Sequence, residues 1–257
     1  MISFYFTAAL AVLLTGIDKA GFGGGVGIVA TPLLILVVPP QEALGIMLPI
    51  LCFCDWFAVY LYRKTFDAKN LYYLIPGAVL GITLAGFFLG KIPENRLKFW
   101  IGMISIAFVG YQMGKPWILK ELNTYRPRSW QGWIFGSAIG VTSTLAHAAG
   151  PVAVMFLLPQ NLGRQLFVGT TVILFTVVNA VKLIPYFYLN LIDLHRISTS
   201  LTLLPLVPLG TYLGAWMNGR INDRIFNGVI YTFLFLLGLK MSAGIDPISA
   251  LLSFLKP

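Results

Sequence analysis

Four departures from an apolar background hold the residues able to do chemistry. The first is Asp18-Lys19-Ala20-Gly21-Phe22-Gly23-Gly24-Gly25-Val26-Gly27, which opens into a short apolar piece ending at Pro39-Pro40. Glycine lets main-chain amides approach a ligand closely, and the first turn of a helix offers free N–H groups at the positive end of its dipole. That combination binds anions, with Gly24 and Gly25 as the exposed amides; the alternative use of such glycines is tight helix packing. No Gly-Lys-Ser/Thr follows the run, so it is not a nucleotide phosphate loop.

The second departure is Ser143-Thr144-Leu145-Ala146-His147-Ala148-Ala149-Gly150-Pro151, again a polar break before a short apolar piece. Proline suits the first turn of a helix, where its missing N–H has no intrahelical partner. His147 then sits beside a helix N-terminus with Gly150, either contacting a ligand or hydrogen-bonded between helices. The third departure is Gly169-Thr170-Thr171, leading through an apolar run to Asn179 and Lys182. A lysine in mid-membrane costs about 2.5–3.5 kcal/mol on insertion scales, so it faces a cavity or a partner unless it snorkels toward the interface near Tyr188. Asn179 and Lys182, three apart, share one helix face, and Pro185 is expected to interrupt the backbone bonding near Lys182. The fourth is Asp55, alone in an apolar run. Asp18 and Lys19 either neutralise each other locally or offer Asp18 as a protonatable coupling group. Cys52 and Cys54, two apart on a helix, face different directions and read as buried free thiols.

The elements that must position these groups follow from the breaks. Apolar segments run near residues 3–15, 26–38, 43–62, 71–90 and 96–113, and after a polar stretch from Lys115 to Ser129 the pattern restarts near 130–146, 150–159, 166–188, 194–217 and 222–240. The runs do not alternate and are too long for membrane strands, so helices are expected. The chain therefore divides into a first repeat at 1–114, a cytoplasmic linker at 115–129 and a second repeat at 130–257. Pro76, Gly81 and Lys91 are matched 129 positions later by Pro205, Gly210 and Arg220, and Gly45 and Asp55 are matched 124 later by Gly169 and Asn179. Residues 26–38 would rise only about 20 Å as a helix, short of a hydrocarbon core of about 30 Å, so the short pieces are half-helices or a re-entrant pair. Each half has an odd number of crossings either way, which predicts two inverted repeats of about five helical segments, with 8–10 membrane segments in all. On that topology ten loop Lys and Arg fall on one side and six on the other, which places the ten in the cytoplasm and both chain ends outside.

Bulk composition agrees. Of the 257 residues 58% are hydrophobic and 11% charged, with a mean hydropathy of +0.83, whereas a soluble domain is about a quarter charged. The chain reads as a polytopic all-α integral membrane protein. The net charge of +9 lies in the loops and marks topology rather than nucleic-acid binding. The N-terminal apolar run lacks a basic leader and is not expected to be a cleaved signal.

These phrases resemble the TauE/SafE family of sulfite and sulfonate exporters. The resemblance rests on Lys19-Ala-Gly-Phe-Gly-Gly-Gly25 with Pro32, then Ala146-His-Ala-Ala-Gly-Pro151, Leu157-Leu-Pro-Gln160, Phe167-Val-Gly-Thr170 and Asn179-Ala-Val-Lys182, spanning about Gly16 to Gly238. Where the family often carries a second proline, this chain has Val152. The resemblance implies transport of small sulfur-containing anions such as sulfite, thiosulfate, sulfoacetate or other organosulfonates, in the bacterial inner membrane, without metal or organic cofactor. The residues reach the same class separately. Lys182 would balance the anion's charge, His147, Thr170 and Asn179 would hydrogen-bond it, and Gly24, Gly25 and Gly150 would expose amides. Asp18, Lys19 and Asp55 are the candidates for coupling to a proton or sodium gradient. The substrate, the transport direction and any homo-oligomer stay open. Rivals are an anion channel through the same pore, a transporter of a non-sulfur organic anion, an intramembrane enzyme using Asp18 and His147, and a scaffold. The last two lack workable catalytic spacing and a docking domain respectively.

Overall fold

The computed structural model describes residues 2–18, 27–62, 64–122, 128–217, 220 and 223–244, and these are helical with no strand among them. In chain order the helices are α1 (Ile2–Ile17), α2 (Ala30–Leu34, entered through a 3₁₀ turn at Gly27–Val29), α3 (Pro40–Tyr62), α4 (Ala68–Leu89), α5 (Glu94–Leu122) and α6 (Ser129–Ala146). Then come α7 (Ala149–Leu157, leaving through a 3₁₀ turn at Leu158–Gln160), α8 (Arg164–Tyr188), α9 (Leu194–Leu203), α10 (Leu206–Met217) and α11 (Asp223–Ala243). Among the described residues Pro40–Tyr60, Ala68–Leu89, Arg164–Tyr188, Leu194–Met217 and Phe226–Ala243 are long and apolar enough to cross a membrane. Large apolar side chains such as Phe6, Trp56, Phe87 and Phe187 stand on the outside, which suits lipid rather than water. The chain is a multi-pass helical membrane protein.

Side chains have little hydrophobic drive to associate in lipid, so close backbone approach at small residues holds such helices together. Glycines mark the seams here, and the seams come in matching pairs. Gly140 of α6 lies against the Ala78 carbonyl of α4; 124 positions earlier Gly16 of α1 lies against the Val207 carbonyl of α10, which is 129 positions after Ala78. Likewise Gly81 meets Ser137, and Gly210 meets Leu13. Long helices with matched sequence spacings pack on each other. Gly45, near the start of α3, abuts the Leu191 carbonyl just past α8, while Gly169, near the start of α8, abuts the Thr65 carbonyl just past α3. Asp55 and Asn179 meet midway, so α3 and α8 run antiparallel. Helices α5 and α11 do the same, with Gly102 against Gly238 and Phe108 against Tyr231, ring centroids 5.7 Å apart.

The loops that return the chain are capped alike. The Asp67 carboxylate accepts from Asn70 N–H at 3.0 Å and starts α4; the Asp193 carboxylate accepts from Arg196 N–H at 2.7 Å and starts α9. Two expectations differ from the structure. The apolar run 194–217 is two helices, broken at Leu204-Pro205, because Pro205 and Pro208 together remove two N–H groups from one stretch. Helix α5 runs past the apolar segment expected at 96–113 to Leu122, since Lys, Leu and Glu extend a helix beyond the apolar region.

Candidate functional site

The site begins where α6 stops. His147 closes α6 with φ 52°, its N–H bonded to the Ser143 carbonyl at 3.0 Å, and Ala148 N–H reaches the Thr142 carbonyl at 3.2 Å. The chain then restarts at once as α7. The end of a helix leaves its last carbonyls without intrahelical partners, and α8 supplies donors for two of them. Lys182 Nζ donates to the Ser143 carbonyl at 3.3 Å and Tyr186 Oη donates to the Thr144 carbonyl at 2.7 Å, from positions one helical turn apart. Lys182 is completely buried, 0% exposed, at the negative end of the α6 dipole, where a cation is stabilised. Helix α8 runs through Pro185 to Tyr188, so that proline removes one backbone bond without breaking the helix near Lys182.

Lys182 also holds the histidine. Its Nζ lies 2.9 Å from His147 Nδ1, and His147 Nε2 lies 3.1 Å from the Leu44 carbonyl of α3. A carbonyl only accepts, so Nε2 carries the proton and Nδ1 accepts from the lysine. The ring is therefore neutral and both of its nitrogens are occupied, tying α6, α3 and α8 together at one point.

A cavity of about 140 Å³ opens beside this cluster. Ser143, His147, Thr171, Asn179 and Asp18 are among its polar lining residues, with Ala149 and Gly150 from the first turn of α7. The N-cap residue Ala148 makes no side-chain cap bond, so among the described residues the amides of that turn face the cavity without a side-chain cap. Asn179 joins the cavity to the seam behind it, where its Nδ2 donates to Asp55 Oδ2 at 2.6 Å. Asp55 is 1% exposed and Asn179 5%.

The expected residues are thus distributed unevenly. Gly150, His147, Asn179 and Asp18 line the cavity; Lys182 stands behind His147 and Asp55 behind Asn179. Thr170 turns the other way, accepting from Asp67 N–H at 2.8 Å and donating to the Leu166 carbonyl at 2.6 Å, and its neighbour Thr171 faces the cavity instead. Lys19, Gly24 and Gly25 lie outside the described residues. Sequence reasoning missed Tyr186 and the Leu44 carbonyl. The i, i+4 spacing of Lys182 and Tyr186 on α8 was the available signal for the first; a main-chain carbonyl on another helix leaves none.

The far end of α7 is pinned as well. Gln160 and Asn70 exchange two amide hydrogen bonds at 3.0 and 3.1 Å, and Gln160 Nε2 also donates to the Phe156 carbonyl at 3.0 Å. With Thr170 on Asp67, this fixes the end of α7 and the start of α8 to the start of α4. Residues 8–241 match the family model described as sulfite exporter TauE/SafE. Among curated proteins and among solved structures nothing matches.

Proposed function

The chain belongs to the sulfite exporter TauE/SafE family, and from that premise we propose that it is a secondary transporter carrying small sulfur-containing anions across the bacterial inner membrane by alternating access. The observation that carries the site is the buried Lys182 behind a cavity whose wall holds the Asn179 amide and the uncapped first turn of α7. A positive charge and convergent N–H donors in a low-dielectric surrounding favour an anion. Lys182 acts from behind His147 rather than by contact, and the fixed imidazole holds α3 against the break between α6 and α7. The matched glycine seams and the antiparallel contacts of α3 with α8 and α5 with α11 support two inverted repeats that rock about the α3/α8 seam. Asp18 on the cavity wall and Asp55 behind Asn179 are the groups through which an ion gradient would be coupled.

The test is sulfite flux in proteoliposomes carrying the purified full chain. Sulfite accumulation under an imposed gradient is expected for the unmodified protein and is lost in Lys182→Ala and His147→Ala. Unchanged flux in both variants would show that the anion binds elsewhere.

A further inference from the structure

We infer that the cavity selects a short organosulfonate with an uncharged tail of two or three carbons over inorganic sulfite. This deepens the reading of the cavity as the anion site and rests on it. The first reason is size. A dry apolar protein cavity of about 150 Å³ holds benzene, a molecule of six heavy atoms, and this cavity measures about 140 Å³. Sulfite, with four heavy atoms, underfills it, whereas ethanesulfonate and 1-propanesulfonate have about six and seven.

The second reason is the chemistry of the wall. The N–H donors are the Asn179 amide and the first turn of α7, while Leu51, Val154, Phe167, Val172 and Phe175 supply apolar lining from α3, α7 and α8. A sulfonate keeps its three oxygens on one side, where these donors and the charge of Lys182 act on them, and turns its carbons to the apolar wall. Sulfate presents oxygen on every side, and each oxygen left against Phe175 or Val172 loses water and gains no donor; sulfite gathers its three oxygens on one side as a sulfonate does, but turns only the sulfur lone pair to that wall and has no carbon to bury there. A buried methylene in the right place is worth about a fourfold gain in affinity. The third reason is Asp18, which lines the same cavity. Its carboxylate repels a second negative charge on the ligand, so a carboxylate-bearing tail such as that of sulfoacetate is disfavoured.

Calorimetric titration of the purified full chain with sulfite, methanesulfonate, ethanesulfonate, 1-propanesulfonate, 1-hexanesulfonate and sulfoacetate tests this without relying on a variant. Affinity is expected to rise about fourfold per carbon from methanesulfonate to 1-propanesulfonate, to fall again at 1-hexanesulfonate, and to be weaker for sulfite and sulfoacetate than for 1-propanesulfonate. Sulfite binding as tightly as 1-propanesulfonate, a series flat in tail length, or sulfoacetate binding tightest overturns it. Val154→Thr and Val172→Thr keep the side-chain shape, add a hydroxyl, and are expected to shrink the gain per carbon. An undiminished gain in both also overturns the inference. If no ligand of the series binds at all, it is the anion-site reading that has failed, an outcome distinct from sulfite matching the sulfonates.

Discussion

Replacing Lys182 by methionine keeps an unbranched side chain and removes the ammonium. With Nζ 2.9 Å from His147 Nδ1 and the imidazole between it and the cavity, a bound anion would sit about 7 Å from the charge. At an effective dielectric near 20 the two attract by about 2.4 kcal/mol, which is about 50-fold in affinity at about 1.4 kcal/mol per decade. Stability should change much less. Losing the donor to Ser143 O and His147 Nδ1 costs about 1–3 kcal/mol, while removing an intramembrane charge returns about 2.5–3.5 kcal/mol. Tyr186→Phe is the matched control, because it strips the hydroxyl from the Thr144 carbonyl at a cost of about 1 kcal/mol and leaves the charge in place. Titration with an anion that binds the unmodified protein, beside thermal melts, separates the two effects. The expected pattern is a loss of about 50-fold in Lys182→Met, with the melting temperature nearly kept, and little loss of affinity in Tyr186→Phe. Affinity within about twofold of the unmodified protein in Lys182→Met, or an equal loss in both variants, would reduce Lys182 to a helix cap.

Three further outcomes follow from the seams and caps. Gly169→Ala drives a methyl into the Thr65 carbonyl and is expected to lower stability by about 1–3 kcal/mol, whereas Gly110→Ala, whose methyl meets nothing, is expected to raise it by up to about 1 kcal/mol; denaturant melts in one detergent compare them. Asn179→Ala removes the donor to Asp55 and is expected to cost about 1.5–3 kcal/mol, while Asp55→Asn, which keeps a hydrogen-bonding oxygen toward Asn179, is expected to cost less in the same assay. Gln160→Ala breaks both amide bonds to Asn70 and should raise backbone hydrogen exchange in α7 and the first turn of α4 relative to α11.

Helix positions were largely legible because each break in the apolar pattern is a physical stop. Residues 43–62 and 166–188 became α3 and α8, which start three and two residues earlier and end where expected. The match of Asp55 to Asn179 was visible as a spacing, but their contact was not, since a repeat states which positions correspond and not that they touch. Lys182 on the face of Asn179 was readable from a helical turn; its acceptor, the Ser143 carbonyl, was not, because it exists only where α6 stops. Thr170 and Thr171 are adjacent, and which one faces the cavity is decided by the phase of α8, set by Gly169 against Thr65. The break at Pro205 was hidden by its match to Pro76, which sits inside an unbroken α4; the second proline, Pro208, makes the difference.

The contact between Asp55 and Asn179 bears on how freely the two halves can be exchanged. Under the proposed inverted-repeat arrangement, a residue on this seam faces its own counterpart, so two copies of the first half would bury one aspartate against another. Two copies of the second half would set asparagine against asparagine, a pairing both amides satisfy. One carboxylate opposite one carboxamide therefore makes the halves complementary rather than interchangeable. On that arrangement, a chain built by joining the first half to itself would carry a like-charge repulsion at its centre, which the Asp55–Asn179 pair avoids.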